Sequence, residues 1–252
     1  MKKLHFINTP NLPTGKVSNL IMSDYIPELL QEIQHYGINV IIPDKLNNIS
    51  GAEAYHADMS ICHIIDDKFV IAKNNKGLID KMKLLNADII LSSNQICGKY
   101  PDITALNVCI FGNNIICNVH YTDKKILEFC QENHFKILHT NQGYAKCSST
   151  VVSNNALITA DESIYNLCKK NNIDVLKISD GGIKLDGYNY GFIGGCCGFI
   201  DKNTLAFSGN IKLHKDYLNI KDFASNYHID LLSLSNQILY DIGGILPIIE
   251  IY

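Results

Sequence analysis

The amino-acid sequence predicts a single α/β domain, residues 1–252, in which five ββαβ units close into a ring sealed by the C-terminal strand. Three observations predict it. Four segments repeat one order of elements: strand, polar turn, strand, helix, strand. Their turns begin at residues 66, 112, 153 and 201, spacings of 46, 41 and 48. A fifth, incomplete copy lies at the N-terminus, and a strand-like C-terminal run with no helix after it supplies the strand that copy lacks.

In the clearest copy Met59–Ile65 reads as an apolar strand, Asp66-Asp67-Lys68 turns it, Phe69–Ala72 returns, Asn75–Leu85 is helical and Asp88–Leu91 closes. The next runs Leu106–Ile110, Gly112-Asn113-Asn114, Ile115–Val119, a helix from Thr122 to about Asn133, and Phe135–Leu138. The third is Cys147–Val152, Ser153-Asn154-Asn155, Ala156–Thr159, a helix over Asp161–Lys170, and Asp174–Ile178. The fourth is Phe192–Ile200, Asp201-Lys202-Asn203, Thr204–Phe207, a helix over Lys215–Asn226, and Ile229–Leu234. Asn, Asp and Gly in the turns tolerate the left-handed backbone that short hairpin loops need. Ile126, Leu127 and Cys130, like Ile164, Leu167 and Cys168, have helical spacing. Thr122 and Asp161 mark helix starts. In the N-terminal copy Val17–Met22 is a strand, Ser23 or Asp24 caps a helix over Ile26–Tyr36, Gly37 ends it and Ile38–Ile42 closes; Gly244–Tyr252 seals the ring. A doubly wound parallel sheet would alternate single strands with helices, whereas here three strand-like pieces separate successive helices. Gly194-Gly195-Cys196-Cys197-Gly198 lies in a strand-like run and opens no helix, so it is not a phosphate-binding loop.

Composition narrows the function classes. Hydrophobic residues make up 46% and charged residues 19%, which gives enough apolar surface for one large core. Net charge is −3 with no basic block, which excludes the electrostatic footprint of a nucleic-acid binder. Met1-Lys2-Lys3-Leu4-His5-Phe6 starts like a signal peptide, but Asn8, Pro10, Asn11 and Pro13 interrupt it, and no long apolar run follows. The expectation is a cytoplasmic protein without a membrane partner. The nine cysteines show no disulfide framework and read as small core residues in a reducing compartment. All 22 basic residues are lysine, so no guanidinium fork is available to clamp a carboxylate.

Four motifs carry chemistry. His56-Ala57-Asp58 leads into the predicted strand Met59–Ile65, where period two puts both side chains on one side. Cys147, in Gly143-Tyr144-Ala145-Lys146-Cys147-Ser148-Ser149, opens the matching strand two units later. Equivalent strand starts of a five-fold ring converge on its axis, so His56 and Cys147, 91 positions apart, are expected to meet there. Cysteine beside histidine is the minimum apparatus for a thiolate nucleophile, which makes Cys147 the expected fastest of the nine to alkylate. Asp180-Gly181-Gly182 and Asp241-Ile242-Gly243-Gly244 place carboxylates beside tight turns. Each motif also has a structural reading: a His–Asp pair at a strand end, a buried thiol, ordinary turn chemistry. Cys62-His63 and Cys196-Cys197 lack metal-ligand spacing, so neither a metal nor a cofactor is expected.

His56-Ala57-Asp58 followed by Ile64-Ile65-Asp66-Asp67-Lys68-Phe69-Val70-Ile71 resembles the His-x-Asp strand pair of agmatine deiminases, members of the guanidino-group-modifying pentein superfamily with arginine deiminases and dimethylargininases. Asp180-Gly181-Gly182 with Asp186-Gly187 is similar to the acid-Gly-Gly segment of these enzymes, and Gly143–Ser149 to their Gly-Gly-x-His-Cys segment, with Lys146 in place of histidine. The chain as a whole, Gly191-Phe192-Ile193-Gly194-Gly195 included, resembles an uncharacterised bacterial branch of the superfamily. The resemblance implies a five-bladed α/β propeller. In the family the nucleophilic cysteine stands on the last strand; here Gly243-Gly244-Ile245-Leu246-Pro247 puts leucine and proline there.

Two functions remain open. One is a hydrolase acting on a C–N bond of a guanidine or amidine, with Cys147 and His56 catalytic and Asp58, Asp180 and Asp241 holding a small cationic substrate. The other is a catalytically inactive pentein-fold protein that binds a cationic metabolite or a protein partner.

Overall fold

The computed structural model describes residues 3–251; Met1 and Lys2, in the N-terminal run, and Tyr252, at the end of the predicted sealing strand, lie outside the described residues. Five helices of nine residues each recur along the chain: Pro27–His35, Lys76–Leu84, Lys124–Glu132, Glu162–Lys170 and Tyr217–Ser225. A left-handed residue follows each one, Gly37, Asn86, His134, Asn172 and His228, with φ from 57° to 74°. Three helices begin on a side chain that accepts a backbone N–H: Asn75 from Leu78, Asp123 from Lys125, Asp161 from Ile164. The cap of Lys124–Glu132 is thus Asp123, one residue beyond Thr122. The first helix starts on Ile26 with proline at its first residue and no side-chain cap; Ser23 instead accepts the Tyr25 N–H at 3.0 Å.

Each helix lies within a three-stranded unit, and all five units share one pairing rule. The first strand runs antiparallel to the second, and the second parallel to the third. Ile61–Ile65, Lys68–Ile71 and Asp88–Leu91 form one such unit, and Cys109–Phe111, Asn114–Cys117 and Lys136–His139 the next. Ser149–Ser153, Ala156–Thr159 and Asp174–Lys177 follow, then Cys197–Asp201, Thr204–Phe207 and Asp230–Ser233. In the N-terminal unit the C-terminal strand Leu246–Ile251 takes the first place, antiparallel to Lys16–Ile21, which pairs in parallel with Asn39–Ile41. Strand Leu4–Phe6 lies on the other side of Leu246–Ile251. One pairing, Asp201 with Lys16, joins the last unit to the N-terminal one, and the sheets otherwise stay separate.

The expected strand starts are displaced by short helical turns. Ala57–Ser60 is helical and the strand begins at Ile61, so His56 and Asp58 do not share a strand face. Cys147 lies in a turn closed by Ser148 N–H to Tyr144 C=O at 2.9 Å, and its strand begins at Ser149. Ile193–Cys196 winds a 3₁₀ turn before Cys197–Asp201, so the glycine pair precedes the strand instead of lying in it. Hydrogen bonds pass between these pre-strand turns. Asp58 N–H donates to Gly243 C=O at 3.3 Å, Gly195 N–H to Cys147 C=O at 3.0 Å, and Ile242 N–H to Gly195 C=O at 2.9 Å. Eight of the nine cysteines are buried and all are free, which fits their reading as core residues. Among the described residues no helix is long and apolar enough to cross a membrane.

Candidate functional site

The turns bring together what the sequence separates. Ligating atoms of His56, Asp58 and Cys147 all lie within 4.8 Å of one another, each residue buried. Cys147 S–H donates to Asp58 Oδ2 at 2.8 Å. Asp241 joins them, its Oδ1 3.8 Å from His56 Nδ1. Its carboxylate is fixed from behind by the N–H groups of Phe192 at 2.8 Å and Gly243 at 3.1 Å. Both ring nitrogens of His56 and Oδ1 of Asp58 are buried without a hydrogen-bond partner. Groups of this kind lose hydration without compensation and are poised to receive a ligand.

Two residues organise the cysteine. Asn107, 1% exposed, accepts the N–H groups of Lys146 and Cys147 on its Oδ1 at 2.9 and 3.1 Å. Its Nδ2 donates to Cys147 Sγ at 3.3 Å. The Lys146 ammonium, also buried, donates to Gly194 C=O at 3.1 Å. Burial, then the Asp58 and Asp241 carboxylates, push the Cys147 thiol well above its ordinary range. The carboxylates beside it thus oppose the activation of Cys147 expected from a neighbouring cationic histidine. Burial also raises the Asp58 carboxyl, with His56 and Lys146 opposing.

His56, Cys147 and Asp241 form the buried end of a cavity of about 380 Å³. Tyr144 and Phe192 wall it, and half-exposed Tyr100, Tyr188 and Tyr190 surround its open end. Glu53, 6% exposed, also lines the cavity, and accepts the hydroxyls of Tyr144 at 2.6 Å and Tyr188 at 2.5 Å. Beyond Asp58 and Lys146 lies a second pocket of about 30 Å³, lined also by Leu246 and Pro247, the positions where the family resemblance would require histidine and cysteine.

Of the five predicted site residues, His56, Asp58, Cys147 and Asp241 converge. Asp180 does not. It is exposed and absent from the cavity lining, because its turn packs elsewhere: Ser179 N–H bonds Asp216 at 2.8 Å and Gly182 lies against His214. Asp58 also differs from its expected place on the substrate, since it is bonded to the nucleophile candidate itself. Glu53 and Asn107 escaped sequence reading. The nearest signal was Asn107 as the single polar residue in Ala105-Leu106-Asn107-Val108-Cys109, an apolar run where a buried amide needs partners.

A model described as a family of unknown function, DUF6873, matches residues 20–246. The chain belongs to that family. No curated protein matches this DUF6873 chain significantly. Among solved structures it is similar to inosamine-phosphate amidinotransferase StrB1 from Streptomyces griseus, at TM-score 0.57 and 9% identity over 95% of this chain and 94% of that one. It is similar to agmatine deiminase of C. jejuni, at 0.54 and 11% over 93% and 90%. DDAH from Pseudomonas aeruginosa, solved with citrulline, matches at 0.53 and 7% over 87% and 93%. All three are pentein superfamily members, and the DUF6873 chain shares their fold.

Proposed function

We propose that this protein hydrolyses a C–N bond of a guanidine or amidine, with Cys147 as nucleophile and His56 as the proton donor to the leaving group. One observation carries the reading: Cys147, His56, Asp58 and Asp241 meet at the buried end of a cavity large enough for a small molecule. A planar cation entering there lies between two carboxylates, which suits charge-assisted hydrogen bonding. Cys147 Sγ attacks the central carbon while its proton passes to Asp58 Oδ2, already its hydrogen-bond acceptor. The C–N bond breaks as His56 gives a proton to the departing amine or ammonia. Water then adds to the carbon of the thiouronium as it gives one proton to His56. The C–S bond breaks, the departing sulfur takes back the proton held by Asp58, and the remaining proton of the product passes to the released amine or ammonia. No cofactor is required.

The five units are proposed to be blades of one ring, which accounts for the common pairing rule and for hydrogen bonds that pass from one pre-strand turn to the next. That arrangement supports the site, because segments preceding different strands supply its groups: His56 and Asp58 from one, Cys147 and Asp241 from two others. The substrate reading rests on charge. Among the described residues that line the cavity, none other than His56 carries a basic side chain, and the chain has no arginine for an α-carboxylate. Calorimetric titration of agmatine against arginine, with release of ammonia or amine as the second readout, tests both halves. Agmatine is expected to bind about ten- to a hundredfold more tightly. Tighter binding of arginine overturns the charge argument. If no guanidine or amidine is bound or turned over, the hydrolase reading fails and a binding role without chemistry replaces it.

A further inference from the structure

We infer that His56, Asp58 and Cys147 form a three-ligand site for one zinc ion, with its fourth position open to the large cavity. This goes beyond the hydrolase reading and does not depend on it. The three residues make the one group of three or more metal-capable side chains with converging ligand atoms among the described residues. They supply nitrogen, oxygen and sulfur, a set that suits zinc and is too soft for magnesium or calcium. Ligand atoms around tetrahedral zinc lie about 3.3–3.8 Å apart, given metal–ligand bonds of about 2.0–2.3 Å. The ligand atoms here lie within 4.8 Å of one another, with Cys147 Sγ 2.8 Å from Asp58 Oδ2, so a bound zinc ion would spread that pair and close the wider separations.

The unpartnered atoms are the independent observation. His56 is 2% exposed with neither ring nitrogen bonded, and Asp58 is 1% exposed with Oδ1 unbonded. Both stand beside a sulfur that Asn107 and the turn at 144–148 already hold in place. Asp241, 3.8 Å from His56 Nδ1, can orient the ring as carboxylates orient metal-bound histidines. The pairs Cys62-His63 and Cys196-Cys197, each adjacent in sequence, do not belong to such a cluster. A zinc ion on Cys147 Sγ and a cationic ligand attacked by that sulfur exclude each other, so metal and amidine compete.

The test uses the full-length protein stripped with chelator and titrated with Zn²⁺ by calorimetry and with Co²⁺ by absorption. One ion per chain is expected, with a sulfur-to-cobalt charge-transfer band. The band should vanish in Cys147→Ser, and affinity should fall at least about tenfold to a hundredfold in His56→Ala and Asp58→Asn. Absence of binding to the stripped protein overturns the inference, as does a charge-transfer band that survives in Cys147→Ser. Should that variant not fold, unchanged affinity in both other variants overturns it equally. Turnover by the stripped protein tests the hydrolase reading separately. Turnover without metal binding removes this inference alone, and metal binding without turnover removes the other alone.

Discussion

A methyl group at position 195 would lie 2.0 Å from Asp241 Oδ1, and one at 243, where φ is 75°, would lie 2.4 Å from His56 Cβ. The two site residues are thus set by backbone that only glycine allows to approach so closely. Gly195→Ala should destabilise the protein by about 1–3 kcal/mol, as overpacking does, and shift Asp241 off its Phe192 and Gly243 donors. Urea unfolding measures the first effect; an unchanged midpoint would mean the contact is slack. The thiols give a second expectation. Cys97 alone is not buried, so a neutral alkylating agent such as iodoacetamide should modify it first, with Cys147 slow in the resting protein. Peptide mapping that finds Cys147 modified first would contradict a thiol raised by burial and its neighbouring carboxylates. Sequence reading found His56, Asp58, Cys147 and Asp241 because each precedes an apolar strand. It included Asp180 because an Asp-Gly-Gly turn looks the same whether it faces a ligand or solvent. It missed Glu53, whose importance comes from two distant tyrosine hydroxyls.

The repeating elements were legible because alternating and helical apolar spacings report burial directly, and because polar turns punctuate them. The short turns before the strands were not. Ala57–Ser60 and Ile193–Cys196 are too short to show periodicity, and small apolar residues there read as strand. That shift is what carries Asp58 onto Cys147. Asn75 is the residue that ties such a turn to its unit. Its Oδ1 accepts the N–H groups of Leu78 and Asp44 at 3.2 Å, and its Nδ2 donates to Asp44 C=O at 2.9 Å and Ser60 Oγ at 3.0 Å. Asn75→Ala removes a cap and leaves buried groups unpaired, so it should lower stability by about 2–4 kcal/mol in denaturant unfolding. A loss below the usual cap effect would show that water replaces the amide. On the neighbouring strand, burial holds His63 at about 4, below its ordinary 6.5, although its Nε2 meets Asp66 C=O. The unfolded chain therefore takes up that proton first. The stability contribution is complete above about pH 6.5 and declines as pH falls towards 4, by roughly 1–2 kcal/mol because the ring still reaches solvent. His63→Phe should flatten the acid limb of a stability–pH curve; an unchanged limb would assign it to other groups.

At the scale of the molecule, a net charge of −3 spread over lysine and acidic surface hides a concentrated acidic centre. Asp58 and Asp241 flank Cys147, Glu53 lines the same cavity, and Lys146 is the buried ammonium near them. Composition reported the missing arginine but not where the carboxylates meet, since that depends on segments far apart in sequence packing together, Asp58 against Cys147 and Asp241 against His56. Those carboxylates should select cations at the sulfur, which is the claim on which the account turns. The most direct measurement compares two electrophiles of similar size, cationic chloroacetamidine and neutral chloroacetamide, by mass-spectrometric mapping of the nine cysteines. At Cys147 the amidine should react about ten- to a hundredfold faster than the amide, given a charge-assisted contact of about 1.5–3 kcal/mol, while Cys97 shows no such preference. Equal rates at Cys147, or a preference for the neutral reagent, would contradict a cation-selecting nucleophile there.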